Sequence, residues 1–250
     1  MDKYVKWLLI TVGYYVLLNL AYYHVCVALG IPPSPSRTVI FQLLLYTPLT
    51  KIYTTYGLIN NPFTYPKNLT FGIWLRLFIA VLFATACTSN LSKLIFSNSP
   101  MIQEFPFLPN GFLAFLSIVI IAPIGEEIVF RNFLVSSFAK FMPNWTAIVI
   151  PAILFCLVHV SIKYAIGVFG MGLVVSYIFY VTRSTLLTIS IHAVSNLIGY
   201  ATFHANMKPV AAVGESPVRV IASVCLIILF GLISAILTMR TCDRLKRLNE

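Results

Sequence analysis

Apolar residues recur along this chain in runs of about 20, the length an α-helix needs to cross a hydrocarbon core of about 30 Å. These runs predict about eight spans, at roughly 6–29, 38–57, 71–96, 112–140, 145–163, 165–182, 185–205 and 218–240. Proline and polar clusters mark the connections, at Pro32-Pro33-Ser34-Pro35, Asn60-Asn61-Pro62, Ser97 to Pro109 and Met207 to Pro217. The second run is the weakest, because Pro48 and Lys51 interrupt it. The short alternating segments of a membrane β-barrel are absent from the pattern. The expected fold is therefore all-α, a polytopic membrane bundle of about eight transmembrane helices. Residues 1–110 would supply the N-terminal spans, 111–205 a four-span core, and 206–250 the last span with a basic tail.

Composition agrees with that pattern. The chain is 59% hydrophobic and 10% charged, with a mean hydropathy of +0.91, outside the range of soluble globular domains. Its net charge of +10 does not predict nucleic-acid binding, since the basic residues cluster at the ends of apolar runs, as topology requires. With both termini cytoplasmic, the inner side takes Lys3, Lys6, Lys51, Lys67, Lys140, Arg183 and the tail Arg240, Arg244, Lys246 and Arg247. The outer side takes fewer: Arg37, Lys93, Lys163, Lys208 and Arg219. This predicts a multi-pass protein of the cell membrane whose tail also meets anionic lipid headgroups. The run beginning at Trp7 is too long for a signal-peptide core and reads as a retained first span. Five scattered cysteines form no C-x-x-C pair and suggest neither a disulfide framework nor a zinc site.

Charge inside the hydrocarbon layer is expensive and seldom persists without a function. Only seven acidic residues occur in the chain, yet Glu126 and Glu127 stand together in an apolar run. About 100° separates neighbours around a helix, so the two cannot point the same way. Glu127 and Arg131 are i,i+4 neighbours in the favourable order for an ion pair, which leaves Glu126 for chemistry. His159 shares a helical face with Phe155, and His192 shares one with Asn196, each four residues apart. Pro123, just ahead of the acids, removes a backbone hydrogen bond and predicts a kink there.

A carboxylate and an imidazole can together deprotonate a water, while a second imidazole and an amide can donate to an oxyanion. The aspartates, Asp2 and Asp243, lie outside the spans, so a paired-aspartate site is excluded. The sequence H-E-x-x-H is absent, although Glu126, His159 and His192 match a known zinc ligand set. A non-catalytic scaffold or immunity protein that binds a peptide, and a proton-coupled transporter, are the competing functions.

Three motifs stand in order: Glu126-Glu127-Ile128-Val129-Phe130-Arg131 (EExxxR), Phe155 to His159 (FxxxH) and His192 to Asn196 (HxxxN). Together they resemble the CAAX protease and bacteriocin-processing (CPBP, or Abi) family of intramembrane glutamic endopeptidases. The resemblance covers about residues 111–205. It implies a membrane endopeptidase in which Glu126 and His159 activate water, His192 and Asn196 form the oxyanion site, and Glu127, Arg131 and Phe155 support them. It implies no cofactor, zinc being the alternative. The implied partners are the bilayer and a membrane-associated peptide or protein. The compact chain is similar to bacterial members that process bacteriocin or pheromone precursors.

Overall fold

The computed structural model describes residues 3–30, 34–96, 111–159, 162–205 and 217–249. The apolar runs fold into α1 (Lys3–Ala28), α2 (Pro35–Thr55), α3 (Phe71–Ile95), α4 (Phe112–Phe138), α5 (Asn144–Leu157), α6 (Ile162–Thr182), α7 (Thr185–His204) and α8 (Pro217–Asn249). Of these, α1, α3, α4, α6, α7 and α8 are long and apolar enough to cross a membrane. With Pro48, Lys51 and several threonines, α2 is too polar by that measure. At 14 residues, α5 is about 21 Å long by its rise of 1.5 Å per residue, short of a full crossing.

Two departures from the sequence pattern matter. The fifth run stops at Leu157 rather than near 163, so His159 lies in a bend past the helix end, not inside a span. The basic tail continues α8 as helix to Asn249, because Arg244, Lys246, Arg247 and Leu248 all favour helix.

Polar contacts fasten one end of the bundle. Buried Asn132 of α4 donates to the Asn60 carbonyl at 2.9 Å and to Thr185 Oγ1 at 2.8 Å, and accepts from Asn60 N at 3.0 Å. Ser184 Oγ donates to the Thr64 carbonyl at 2.6 Å. At the same end Lys140 Nζ sits 3.3 Å from the centroid of the Tyr4 ring. Close approach sets the packing elsewhere. A Cβ at Gly170 of α6 would overlap the Ala84 carbonyl of α3, and Thr88 Oγ1 donates to the Gly167 carbonyl at 2.6 Å. Small residues at such crossings let helices pack where lipid supplies no hydrophobic drive.

The long α4 is not uniform. Wider i→i+5 turns run over Leu116–Ile121 and Glu127–Val135, on either side of an α-helical segment Ala122–Glu126. Such π-helical turns are rare and frequently mark functional sites. In this register Ala122 N–H donates to the Ser117 carbonyl. The next carbonyl, of Ile118, would look to residue 123, which is proline and has no N–H. Asn196 Nδ2 of α7 donates to it instead, at 2.9 Å. The predicted kink is thus a widened helix whose missing donor comes from its neighbour.

Candidate active site

Glu127 is fully buried and anchors the site. Its Oε1 accepts from Arg131 Nη1 at 2.9 Å and from His192 Nδ1 at 2.9 Å, with both partners buried. The predicted i,i+4 pair therefore forms, and it also holds an imidazole from α7. A carboxylate paired with a guanidinium is an acceptor, so the His192 Nδ1 carries the proton. The Nε2 of that ring lies 3.7 Å from Glu126 Oε2. That distance is too long for a direct hydrogen bond. Glu126 keeps 16% of its side chain exposed while Glu127 keeps none, so the adjacent acids face different surroundings.

Phe155 joins the pieces. The Arg131 guanidinium lies 4.4 Å from its ring centroid, while His159 and His192 meet its ring edge-on at 5.0 and 6.0 Å. A cation on an aromatic face is favourable where water is excluded. Arg131 Nη2 also donates to the Gly172 carbonyl of α6 at 3.3 Å. A Cβ at Gly172 would press on Phe155 Cδ1 at 3.1 Å. Four helices therefore fix one ring, and that ring spaces two imidazoles.

His159 Nδ1 sits 2.8 Å from the Phe155 carbonyl in the last turn of α5. A carbonyl only accepts, so this Nδ1 also carries its proton and leaves Nε2 as the basic atom. Both histidines are thus held in one tautomer by different acceptors, the arrangement that orients an imidazole for acid–base work. No hydrogen bond or ion pair joins His159 to Glu126 among the described residues. The His159 ring instead lies 5.2 Å from that of Tyr164. Asn196 is committed through one amide hydrogen to Ile118, and its second hydrogen and Oδ1 remain for other partners.

Tyrosines from the first two helices complete the surroundings of Glu126, and the motifs gave no hint of them. The buried Tyr46 hydroxyl stands near the Glu126 carboxylate, and the buried Tyr15 hydroxyl lies 3.2 Å from that of Tyr46. A Cβ at Gly125 would overlap the Tyr46 ring, so only glycine lets the ring reach the acid. That glycine beside the acids was the one available signal.

For zinc, the donors do not converge. No group of three or more His, Cys, Asp and Glu side chains among the described residues is arranged around a common point. As arranged, the residues do not fit a His2Glu metal site.

Comparison with known proteins falls on this same region. Residues 108–198 match the family described as type II CAAX prenyl endopeptidase Rce1-like, a stretch that runs from just before α4 through His192 and Asn196. No curated protein and no solved structure matches the chain. The match bears out the CPBP resemblance read from the three motifs. The matched stretch holds Glu126, Glu127, Arg131, Phe155, His159, His192 and Asn196, and the family it matches is described as one of endopeptidases.

Proposed function

We propose that the protein is an endopeptidase that cleaves membrane-associated peptides with water activated at Glu126. The observation carrying this reading is the ordered chain Arg131–Glu127–His192–Glu126, at 2.9, 2.9 and 3.7 Å. Glu126 and the His192 Nε2 are both proton acceptors, so a water beside them donates one hydrogen to each. As its oxygen attacks the scissile carbonyl, the Glu126–His192 pair takes one proton and later returns it to the departing amide nitrogen. Glu127 on Nδ1 stabilises the imidazolium that forms, the role a buried carboxylate plays toward a catalytic histidine. The remaining hydrogen of Asn196 is the proposed oxyanion donor, with His159 Nε2 as a second proton-transfer group on the far side of Phe155. The resemblance had instead paired Glu126 with His159 and given His192 to the oxyanion site; the 3.7 Å approach of His192 to Glu126 is what favours the other pairing.

The substrate class proposed is a precursor or leader peptide of the bacteriocin or pheromone type, on the strength of the resemblance to compact bacterial members. The basic residues Lys51, Lys140, Arg183 and the tail gather at the end of the bundle fastened by Asn132. By the positive-inside bias that end is the cytoplasmic one, in the cell membrane, with both termini there.

The test is cleavage of a fluorogenic membrane-peptide panel by the purified protein in detergent, comparing wild type with Glu126→Ala, His192→Gln and His159→Ala. Loss of cleavage with all three is expected, and undiminished cleavage by Glu126→Ala would refute the mechanism. A chelator series in the same assay should leave activity in place. Loss that zinc alone restores would replace the water-activation scheme by a metal one.

A further inference from the structure

A second concentration of charge lies where α8 leaves the apolar region, and the proposed chemistry does not use it. From Val220 to Met239 α8 presents exposed Leu226, Ile228, Leu229, Leu232 and Ile236, as a lipid-facing helix does. Arg240, Asp243, Arg244 and Arg247 then follow at i, i+3, i+4 and i+7, on one face and all exposed. Arg76, in the second turn of α3, faces the same space. With Thr241 these side chains line a cavity of about 510 Å³.

The register of α3 against α8 builds this cavity. The two run antiparallel, with Ser234 Oγ donating to the Ala80 carbonyl at 2.8 Å and Cys87 Sγ to the Ile227 carbonyl at 3.3 Å. At the tail end the Asn68 side chain donates to the Leu248 carbonyl. The start of α3, with Arg76 in its second turn, is thereby fixed beside the last turns of α8. Four guanidiniums face one carboxylate there, and among the described residues none of the four has an ion-pair partner. An apolar-to-charged change within one helical turn marks the depth of lipid headgroups. The exposed Phe71 at the start of α3 stands at the same level.

We propose that this cavity binds the phosphate group of an anionic phospholipid. The planar fork of arginine matches phosphate oxygens two at a time, and guanidiniums from two helices offer that match from opposite walls. The apolar face of α8 below the arginines gives the acyl chains a surface, which an acidic peptide would leave uncovered. A free phosphate ion shares the headgroup's chemistry but makes no use of that face.

The experiment equilibrates the purified full-length protein in detergent with phosphatidylglycerol or phosphatidylcholine and counts bound lipid by native mass spectrometry. Phosphatidylglycerol should be retained in preference. Arg76→Gln and Arg244→Gln, on separate helices, should each weaken retention about fivefold, the usual contribution of one basic side chain at a membrane surface. Lys51→Gln, at the same end but outside the cavity, should leave it unchanged. Equal retention of the two lipids, or equal weakening by Lys51→Gln, would reduce the cavity to diffuse surface charge and overturn the proposal. Displacement of the lipid by inorganic phosphate, or retention of an acidic peptide in its place, would overturn it as well.

Discussion

The two faces of the Glu126–Glu127 pair are built in opposite ways. On the Glu127 side everything is sealed, with Arg131, Phe155 and the inner nitrogen of His192 all buried and in contact. On the Glu126 side the carboxylate is part exposed, faces the outer nitrogen of His192 across 3.7 Å, and lies near the Tyr46 hydroxyl. One residue of helix rotation divides a structural ion pair from a reactive acid. The sealed half fixes tautomer and charge so that the open half can exchange protons, and that division predicts different consequences for similar substitutions.

The largest effect on folding should come from the sealed half. Glu127→Gln leaves the Arg131 charge buried without its partner, and removing one member of such a pair costs about 3–5 kcal/mol. Its unfolding temperature and folded yield in detergent should fall far more than those of Glu126→Gln. Equal losses would erase the contrast between the halves. Gly125→Ala comes next, since a methyl group there displaces the Tyr46 ring, and overpacking of this kind costs about 1–3 kcal/mol. It should lower cleavage as well as stability; a variant as stable and active as wild type would remove Tyr46 from the account.

Asn196→Ala should cost about 1–3 kcal/mol, because the part-buried Ile118 carbonyl would be left without a donor within the apolar layer. Pro123→Ala restores a backbone N–H, so in that background the same Asn196→Ala change should cost measurably less. An unchanged cost across that double-mutant cycle would show that Asn196 does not stand in for the proline. The smallest expected effect is that of Tyr46→Phe, which removes the hydrogen bond with Tyr15 beside Glu126 and should cost about 0.5–1.5 kcal/mol. A thermal scan beside the cleavage assay measures both parts.

How far the sequence could be read follows from the range of the forces involved. Helix positions were legible because bilayer thickness sets the length of an apolar run. The Glu127–Arg131 pair was legible because i,i+4 contact is local. What escaped lies across helices. Tyr15 and Tyr46 reach Glu126 from α1 and α2, and no spacing rule connects residues so far apart in the chain. The end of α5 at Leu157 also escaped, since the apolar run continues through Val158 and Val160 past the break. Asn196 was visible as a polar residue one turn from His192. Its bond to Ile118 depends on the wide turns of α4, which apolar periodicity does not encode.

The most direct measurement is a pair of numbers, cleavage rate and unfolding temperature, taken on Glu126→Gln and Glu127→Gln side by side. Glu126→Gln should lose about 10²- to 10⁴-fold in rate, the range for a positioned acid–base group, and unfold near the wild-type temperature. Glu127→Gln should unfold well below it. A Glu126→Gln protein that still cleaves at the wild-type rate would contradict the account.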